Sequence, residues 1–276
     1  MKLSALDIAP LQSTFQLAGE LEAAGFHRLW VGEHQPQPQP QLLVALIAGM
    51  TESIRVGTAG VLFHYHPPSR LAFDFRFLAG CYPGRIDAGI CGGLIGDPLL
   101  ELDQLDGRER AGHMARYDER VSAFMHALGE RVEGEELEVW LHGSGPRSAR
   151  LAARHGARFG YSLFHATSVD DPAAIQLYRD EFVQAGAGAG AGEPYTALAV
   201  AGVCAESDDE ARRIAAQQRN SFFQQKVVGS PAVCRQALDE LASRYRADEI
   251  AFATLCGDHQ QRLASYRLLA GAMEIA

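Results

Sequence analysis

A carboxylate and an imidazole stand side by side where one apolar segment of the chain ends. Glu33 and His34 directly follow residues 28–32, which have the pattern of a short buried strand. A histidine can act as an acid or a base near neutral pH, and a neighbouring carboxylate can orient its ring. His34 is therefore a candidate acid–base catalyst supported by Glu33, the alternative being a loop histidine that caps backbone carbonyls.

A thiol ends another apolar segment. Cys91 closes residues 85–91 and is followed by Gly92 and Gly93. At such a position a thiol could act as a nucleophile, or it could pack against a flat ring that needs close approach of the backbone. The alternative is a buried small side chain, which is how most free cysteines behave. No base is paired with Cys91 in the sequence.

A glycine- and serine-rich turn carries a third group of candidates. Residues 143–148 read Gly-Ser-Gly-Pro-Arg-Ser, between an apolar segment and a helical one. Small residues let backbone N–H groups approach an anion, hydroxyls and a guanidinium add donors, and a helix N-terminus adds positive potential. The turn predicts a phosphate site, with an ordinary helix start as the alternative. Its candidate residues are Gly143, Ser144, Arg147 and Ser148.

Two further histidines, His64 and His66, precede a Pro-Pro pair. Together with Glu33 and His34 they could supply ligands for a metal ion. Alternating histidines before such a turn need not converge, so we expect no metal site.

The elements that must position these residues alternate regularly along the chain. The pattern of a buried strand occurs over residues 3–8, 28–32, 54–63, 85–91, 137–141, 159–164, 195–204 and 249–254. Helical segments separate these strands, and the Ala/Gly run at 185–192 is typical of a surface loop. Eight strands alternating with helices in 276 residues predict an α/β fold, a single (β/α)8 TIM barrel domain spanning residues 1–276. In such a barrel the side chains that follow the strands share one mouth.

Composition excludes several classes of protein. The net charge is −9 and the basic residues are scattered, which argues against a nucleic-acid-binding protein. The N-terminus lacks the pattern of a signal peptide, and no apolar run reaches the roughly 18 residues of a membrane span. The five cysteines are widely spaced without a CxxC pair, as is typical of reduced thiols. We therefore expect a cytoplasmic enzyme that acts on a small molecule.

Four segments together form a specific pattern over nearly the whole chain. They are GFHRLWVGEHQ (25–35), IRVGTAGVLFHYHPPSRLAFDF with YPGRIDAGICGG (54–93), LHGSGPRSARLAARHG (141–156), and the C-terminal VVGSPAVCRQALDEL with ADEIAFATLCGDHQQRLASYRLLA. In these segments the chain resembles the bacterial-luciferase-like flavin-dependent monooxygenases. The resemblance implies a luciferase-like (β/α)8 barrel that forms a homodimer and binds reduced FMN. Ser144, Arg147 and Ser148 would hold the flavin phosphate.

The same resemblance assigns further residues to the cofactor site. His34 matches the family's catalytic histidine, and Cys91 falls where luciferase has a reactive cysteine near the C4a edge of the flavin. Thr58 and Ala59 align with a non-proline cis peptide under the ring. His64, from the same segment, is included among the expected cofactor contacts.

The activity implied is that of a two-component monooxygenase. Reduced FMN reacts with O2 at C4a to give a (hydro)peroxide, which oxygenates a small, partly apolar organic substrate. The sequence contains no NAD(P)H fingerprint, so a separate flavin reductase is expected to supply FMNH2. Two alternatives stay open. One is an F420-dependent oxidoreductase, since F420 relatives often carry Asp-His where this chain has Glu-His, and the other is a non-catalytic flavin-binding member of the family.

The chain departs from the family's pattern in three places, of which Gly92 and the short lid motivate the non-catalytic alternative. Gln35 stands where a second histidine is usual, and Gly92-Gly93 where many relatives carry an arginine. Only residues 220–229 are available for the lid that luciferase forms after its seventh strand.

Overall fold

A computed structural model describes residues 1–7, 11–33, 39–93, 107–129, 136–182, 192–218 and 223–275. The strands are β1 (Lys2–Asp7), β2 (Arg28–Val31), β3 (Arg55–Thr58), β4 (Val61–Leu62), β5 (Ile86–Cys91), β6 (Glu138–Gly143), β7 (Arg158–Ser162), β8 (Thr196–Cys204), β9 (Gln225–Gly229) and β10 (Glu249–Thr254). The helices are α1 (Leu11–Ala23), α2 (Pro40–Met50), α3 (Pro68–Cys81), α4 (Gly107–Leu128), α5 (Pro146–Arg154), α6 (Ala173–Glu181), α7 (Asp208–Gln217), α8 (Pro231–Tyr245) and α9 (His259–Ala272). Within these ranges no helix is both long enough and apolar enough to cross a membrane.

Eight of the strands close into a parallel barrel. Neighbouring strands pair in the order β1-β2-β3-β5-β6-β7-β8-β10, and β10 pairs back with β1. Every pairing in this ring is parallel, so all the carboxyl ends of the strands lie at one end of the barrel. The predicted (β/α)8 barrel is confirmed.

The segment that we expected to form one strand over 54–63 is divided. β3 ends at Thr58, a 3-10 turn begins at Phe63, and the cis peptide bond joins Ala59 to Gly60. The resemblance placed that bond one residue earlier, between Thr58 and Ala59, and this prediction was wrong. The Ala59 N–H still donates to the Val31 carbonyl at 2.8 Å, so the regular ladder extends through Ala59 and the irregular step comes after it.

Strand β9 was not predicted. It pairs in parallel with the second half of β8, and just before it the Gln224 N–H donates to the Phe164 carbonyl beyond the end of β7 at 2.7 Å. Only two of its five residues are buried, so the sequence shows no continuous apolar run. Residues 225–229 therefore belong to the sheet and not to a lid.

Large and small side chains fill the barrel interior together. Trp30 and Trp140 are fully buried inside it, with their ring centroids 5.1 Å apart in an edge-to-face arrangement. Alanines occupy the inward positions of β8 and β10, and they pack in the same cluster as the two indoles. This distribution leaves room for two large rings in one barrel.

A buried ion network closes the amino-terminal end of the barrel. Arg28 is fully buried and donates from Nε to Asp87 at 2.7 Å, from Nη1 to Glu249 at 2.5 Å and from Nη2 to Glu138 at 2.7 Å. Burial alone would raise the pKa of Asp87, but the charges of Arg28 and Arg55 outweigh it and hold that pKa at about 2. The network therefore joins β2, β5, β6 and β10 through one guanidinium group.

Replacing Arg28 by alanine should strongly destabilise the protein, because it removes the guanidinium that pairs with the buried carboxylates of Glu249 and Asp87, of which Asp87 keeps its pair with Arg55. Breaking a buried ion pair in this way costs about 3–5 kcal/mol. We expect a loss of this size in the free energy of unfolding measured with urea. Arg212→Ala is the matched control, since it removes an exposed pair with Asp209 and should cause no measurable loss. Equal stability of the two variants would contradict this role of Arg28.

Candidate active site

The strand ends bring most of the predicted residues to one mouth. In the ladder, Leu62 lies opposite Cys91, and Cys91 lies opposite His142. Glu33, the strand end at 58–62, Cys91 and the turn at 143–148 therefore meet at the carboxyl end of the barrel. His34 lies outside the described residues, so its position stays a prediction.

Glu33 holds the segment that follows β4. Its Oε2 accepts a hydrogen bond from the Leu62 N–H at 2.6 Å, and its Oε1 lies 2.8 Å from His66 Nε2. From the other side, Arg120 of α4 donates to the carbonyl oxygens of Phe63 and His66 at 2.9 and 2.5 Å. Both oxygens of the Glu33 carboxylate thus bind this segment, whereas the sequence suggested that they orient His34. Sequence reasoning missed the roles of His66 and Arg120.

The two histidines of the 3-10 segment have different surroundings. His66 is buried against Glu33, whereas His64 is half-buried with its ring 5.7 Å from that of Tyr117. The described residues contain no group of three or more His, Cys, Asp or Glu side chains that could hold a metal ion. A contact between His64 and a cofactor stays a prediction.

Tyr117 of α4 also accounts for the glycine after β5. A Cβ atom built on Gly92 would lie 3.2 Å from Tyr117 Cε1, which is closer than ordinary van der Waals contact. The space beside this backbone, where many relatives carry an arginine, is thus bordered by a buried aromatic ring. The glycine at position 92, which departs from the family's pattern, is therefore explained by the close packing of Tyr117 against it.

Cys91 is a neutral thiol that supports the neighbouring strand. Its Sγ donates to the Gly60 carbonyl oxygen at 3.6 Å. Burial raises the pKa of Cys91 to about 11, although hydrogen bonds with the backbone of Gly93 and Gly60 oppose this effect. A thiol with this pKa is protonated near neutral pH, which disfavours a nucleophile and agrees both with packing against a ring and with a buried small side chain.

The turn at 143–148 brings the four candidate phosphate residues together. β6 ends at Gly143, where an added Cβ would lie only 2.2 Å from Ser148 Oγ, so the missing side chain lets Ser148 fold back over the strand end. Ser144 is exposed to solvent. The guanidinium of Arg147 is half-exposed and binds Asp118 of α4 at 3.0 Å, a partner that sequence reasoning did not find. The donors are those that a phosphate requires, with the Arg147 charge partly balanced by Asp118.

His142 is a buried residue of the mouth that sequence reasoning missed. Its ring lies parallel to that of Trp140, with 6° between the planes and 6.2 Å between the centroids, and edge-on to Trp30 at 5.1 Å. Glycines on both neighbouring strands make room for it. A Cβ on Gly89 would lie 2.5 Å from His142 Nε2, and a Cβ on Gly160 would lie 2.1 Å from Nδ1. The strand register places Gly160 directly opposite His142 on β7, and Gly89 two residues before its partner Cys91 on β5.

Burial lowers the pKa of His142 to about 4. Interaction with the Thr58 carbonyl opposes this effect, and the charge of Arg28 adds to it. The imidazole is therefore neutral near neutral pH.

This lowered pKa predicts that stability falls as the pH is lowered from about 6.5 to about 4. In that window the unfolded chain binds a proton at His142 while the folded chain does not, so protonation favours unfolding. A shift of this size corresponds to about 3 kcal/mol at the acid end of the window. Burial lowers the pKa of His27 to about 4 as well, so His27 adds to the same trend. Urea unfolding across the window should show a weaker pH dependence for His142→Gln, and an unchanged dependence would contradict the prediction.

The fold and its mouth define a (β/α)8 protein whose chemistry lies at the carboxyl ends of the strands. The model of the luciferase-like monooxygenase family matches residues 3–264, and the chain belongs to this family. Its members are oxidoreductases, which agrees with the enzyme class expected from the sequence.

Individual proteins are similar to this chain over its whole length. The protein YwcH of Bacillus subtilis (strain 168) is 27% identical over 331 aligned residues that cover 98% of each chain. The crystal structure of apo-MsnO8 is similar with a TM-score of 0.84 and 29% identity, over 100% of this chain and 99% of that one. The alignment with YwcH is longer than the 276 residues of this chain, so parts of that relative have no counterpart here.

Two more distant structures share the fold. One is the oxygenating constituent of 3,6-diketocamphane monooxygenase from Pseudomonas putida in complex with FMN, with a TM-score of 0.71 and 15% identity over 98% of this chain and 96% of that one. The other is an F420-dependent secondary alcohol dehydrogenase in complex with an F420–acetone adduct, with a TM-score of 0.67 and 14% identity over 98% of each chain.

Proposed function

We propose that this chain is a two-component monooxygenase that uses reduced FMN to oxygenate a small, partly apolar organic molecule. The observation that carries the proposal is the turn at 143–148, a cradle for an anion beside the neutral thiol of Cys91 at the mouth of a luciferase-family barrel. The whole chain would act as one barrel domain. Because its five cysteines are free thiols, we propose a reducing compartment such as the cytoplasm.

The residues at the mouth fit a phosphorylated flat ring. Ser144, Ser148 and Arg147 would bind the phosphate at the start of α5, where the helix N-terminus also favours an anion. The strand end at Thr58–Ala59 and the Cys91 thiol would border the ring, with His64 as a further contact. These groups supply hydrogen-bond donors for the phosphate and uncharged surface for the ring.

The protein and the bound flavin would contribute different parts of the reaction. Bound reduced flavin supplies the electrons and the reactivity towards O2. His34 would donate and accept the proton that the reaction requires, while Glu33 and Arg120 hold residues 62–66 in place. The mouth would also have to exclude water, which otherwise competes with the substrate. A separate flavin reductase would supply FMNH2.

Binding of photoreduced FMN and its return to the oxidised form in air test this proposal. We expect the purified protein to bind FMNH2 and to delay the return of the oxidised flavin's visible absorbance, relative to free FMNH2. Transfer of hydride between reduced F420 and an electrophilic substrate without O2 would instead identify the deazaflavin alternative. Binding of FMNH2 without any delay would favour the non-catalytic alternative.

Two glycine variants in the phosphate turn provide a matched comparison for the same measurement. Gly143→Ala forces Ser148 out of its position, so FMNH2 affinity should fall at least tenfold, which is about 1.4 kcal/mol. Gly145→Ala adds the same methyl group where no atom lies within 4 Å, and its backbone is extended, so its affinity should equal that of the wild type. Equal affinities for both variants would remove the turn from the site.

The proposed homodimer has a candidate surface on α2 and α3. Five large apolar side chains on these adjoining helices are 54–68% exposed, and those on each helix are spaced four residues apart. They are Leu42, Leu46 and Met50 on α2, and Phe73 and Phe77 on α3. A monomer rarely exposes so many large apolar groups together. We propose that a second copy of this chain covers them.

Phe73→Asp should convert the dimer to a monomer, because it places a charge in the apolar surface that the second copy would bury. Light scattering after size-exclusion chromatography gives the mass directly. Val169→Asp is the control, since Val169 is 66% exposed but lies outside α2 and α3, and it should stay dimeric. A monomeric wild-type protein, or a dimeric Phe73→Asp variant, would overturn the proposed interface.

A further inference from the structure

The backbone between β3 and β4 is held by side chains from the two strands that follow it in the barrel. Thr58 Oγ1 donates to the Gly89 carbonyl at 2.6 Å and accepts from the Gly89 N–H at 3.0 Å. The Cys91 thiol donates to the Gly60 carbonyl. β5 thus fixes both ends of the step from Thr58 to Gly60, which borders the mouth.

His142 supports the same step from β6. Its Cδ2 atom would lie 3.2 Å from a Cβ built on Gly60. Its Nε2 and the Thr58 carbonyl oxygen both crowd the Cβ position of Gly89, at 2.5 and 1.8 Å. The imidazole edge therefore abuts the backbone of residues 58–60, and the ring interacts with the Thr58 carbonyl oxygen.

An apolar side chain would fill this place at a lower cost. His142 Nε2 is buried, and its interaction with the Thr58 carbonyl oxygen falls short of a hydrogen bond of good geometry, so burying this nitrogen is unfavourable relative to burying an apolar group. The layer beneath consists of indoles and alanines, with which an apolar residue would pack equally well. Three glycines nevertheless border the ring, from β5, β7 and the step itself. A polar ring in a niche of this kind at the mouth of the barrel indicates a role beyond packing.

We infer that His142 is a positioning residue of the cofactor site, whose neutral ring presents Nε2–H to the Thr58 carbonyl and sets the backbone of residues 58–60 against which the flavin ring packs. The inference rests on the proposed function. The nitrogen carries the proton in this assignment because its neighbour is a carbonyl oxygen, which can only accept. His142 acts through the backbone and touches neither substrate nor cofactor.

Two substitutions separate the hydrogen-bond donor from the volume of the ring. His142→Leu keeps a side chain of similar size without a donor, and His142→Gln keeps an N–H near the position of Nε2. We expect His142→Leu to retain its far-UV circular dichroism but to bind FMNH2 about tenfold more weakly, with an altered visible circular dichroism of bound oxidised FMN. His142→Gln should recover most of the affinity and the wild-type visible spectrum. If His142→Leu does not fold, His142→Asn, whose amide is too short to reach Thr58, provides the same comparison with His142→Gln.

The possible results separate this inference from the proposed function. Wild-type affinity and visible spectrum in His142→Leu would show that the ring only fills space, and would overturn the inference while the proposed function stands. Equal impairment of the leucine and glutamine variants would also overturn it, because the donor would then be irrelevant. Failure of the wild-type protein to bind FMNH2 would overturn the proposed function and the inference together.

Discussion

The buried guanidinium of Arg28 is the interaction on which the geometry of the mouth depends. Its three carboxylate partners lie within the first two residues of β5, β6 and β10, so one group fixes the relative heights of four strands. Side chains alternate along a strand, and a slip of one residue would turn every inward residue outward. On β5 the residues that share a face with Asp87 are Gly89 and Cys91, and on β6 those that share a face with Glu138 are Trp140 and His142. The buried charges at the amino-terminal end of the barrel therefore determine which side chains face inward at the carboxyl-terminal end.

Space inside the barrel is shared between large rings and glycines on adjacent strands. A Cβ on Gly57 would lie 2.5 Å from Trp30, and those on Gly89 and Gly160 would overlap the ring of His142. Each aromatic ring thus occupies the space that a side chain would fill if the glycine on the adjacent strand were a larger residue. Such an interior tolerates few substitutions, because adding one methyl group displaces an aromatic ring. The tight packing of the interior also holds the strand ends at the mouth in place. A site that binds a planar cofactor requires such a rigid surround.

The two ends of the barrel differ in their electrostatics. The buried ion network around Arg28 lies at the amino-terminal end, whereas at the mouth burial keeps the thiol of Cys91 and the imidazole of His142 neutral, and the buried carboxylate of Asp7 at the end of β1 is paired with Arg262. The Glu33 carboxylate near the mouth is bound to Leu62 and His66. The neutral groups of Cys91 and His142 suit an uncharged ring system, and hydrogen-bond donors for an anion lie nearby in the turn at 143–148. This separation agrees with the flavin chemistry proposed for the chain.

The sequence by itself determined the eight barrel strands, the glycine- and serine-rich turn at 143–148 and the family. Apolar periodicity, glycine-serine composition and short motifs are local signals, which a sequence shows directly. Tertiary structure alone decided the remainder. The pairing of Glu33 with His66, that of Arg147 with Asp118, and the niche of His142 between Gly89 and Gly160 all join residues far apart in the chain. β9 escaped prediction for a related reason, since a short, half-buried strand is defined by its partner β8 rather than by its own residues. Strand register creates these contacts, and register is set by packing and buried charge across the whole barrel, which no local pattern records.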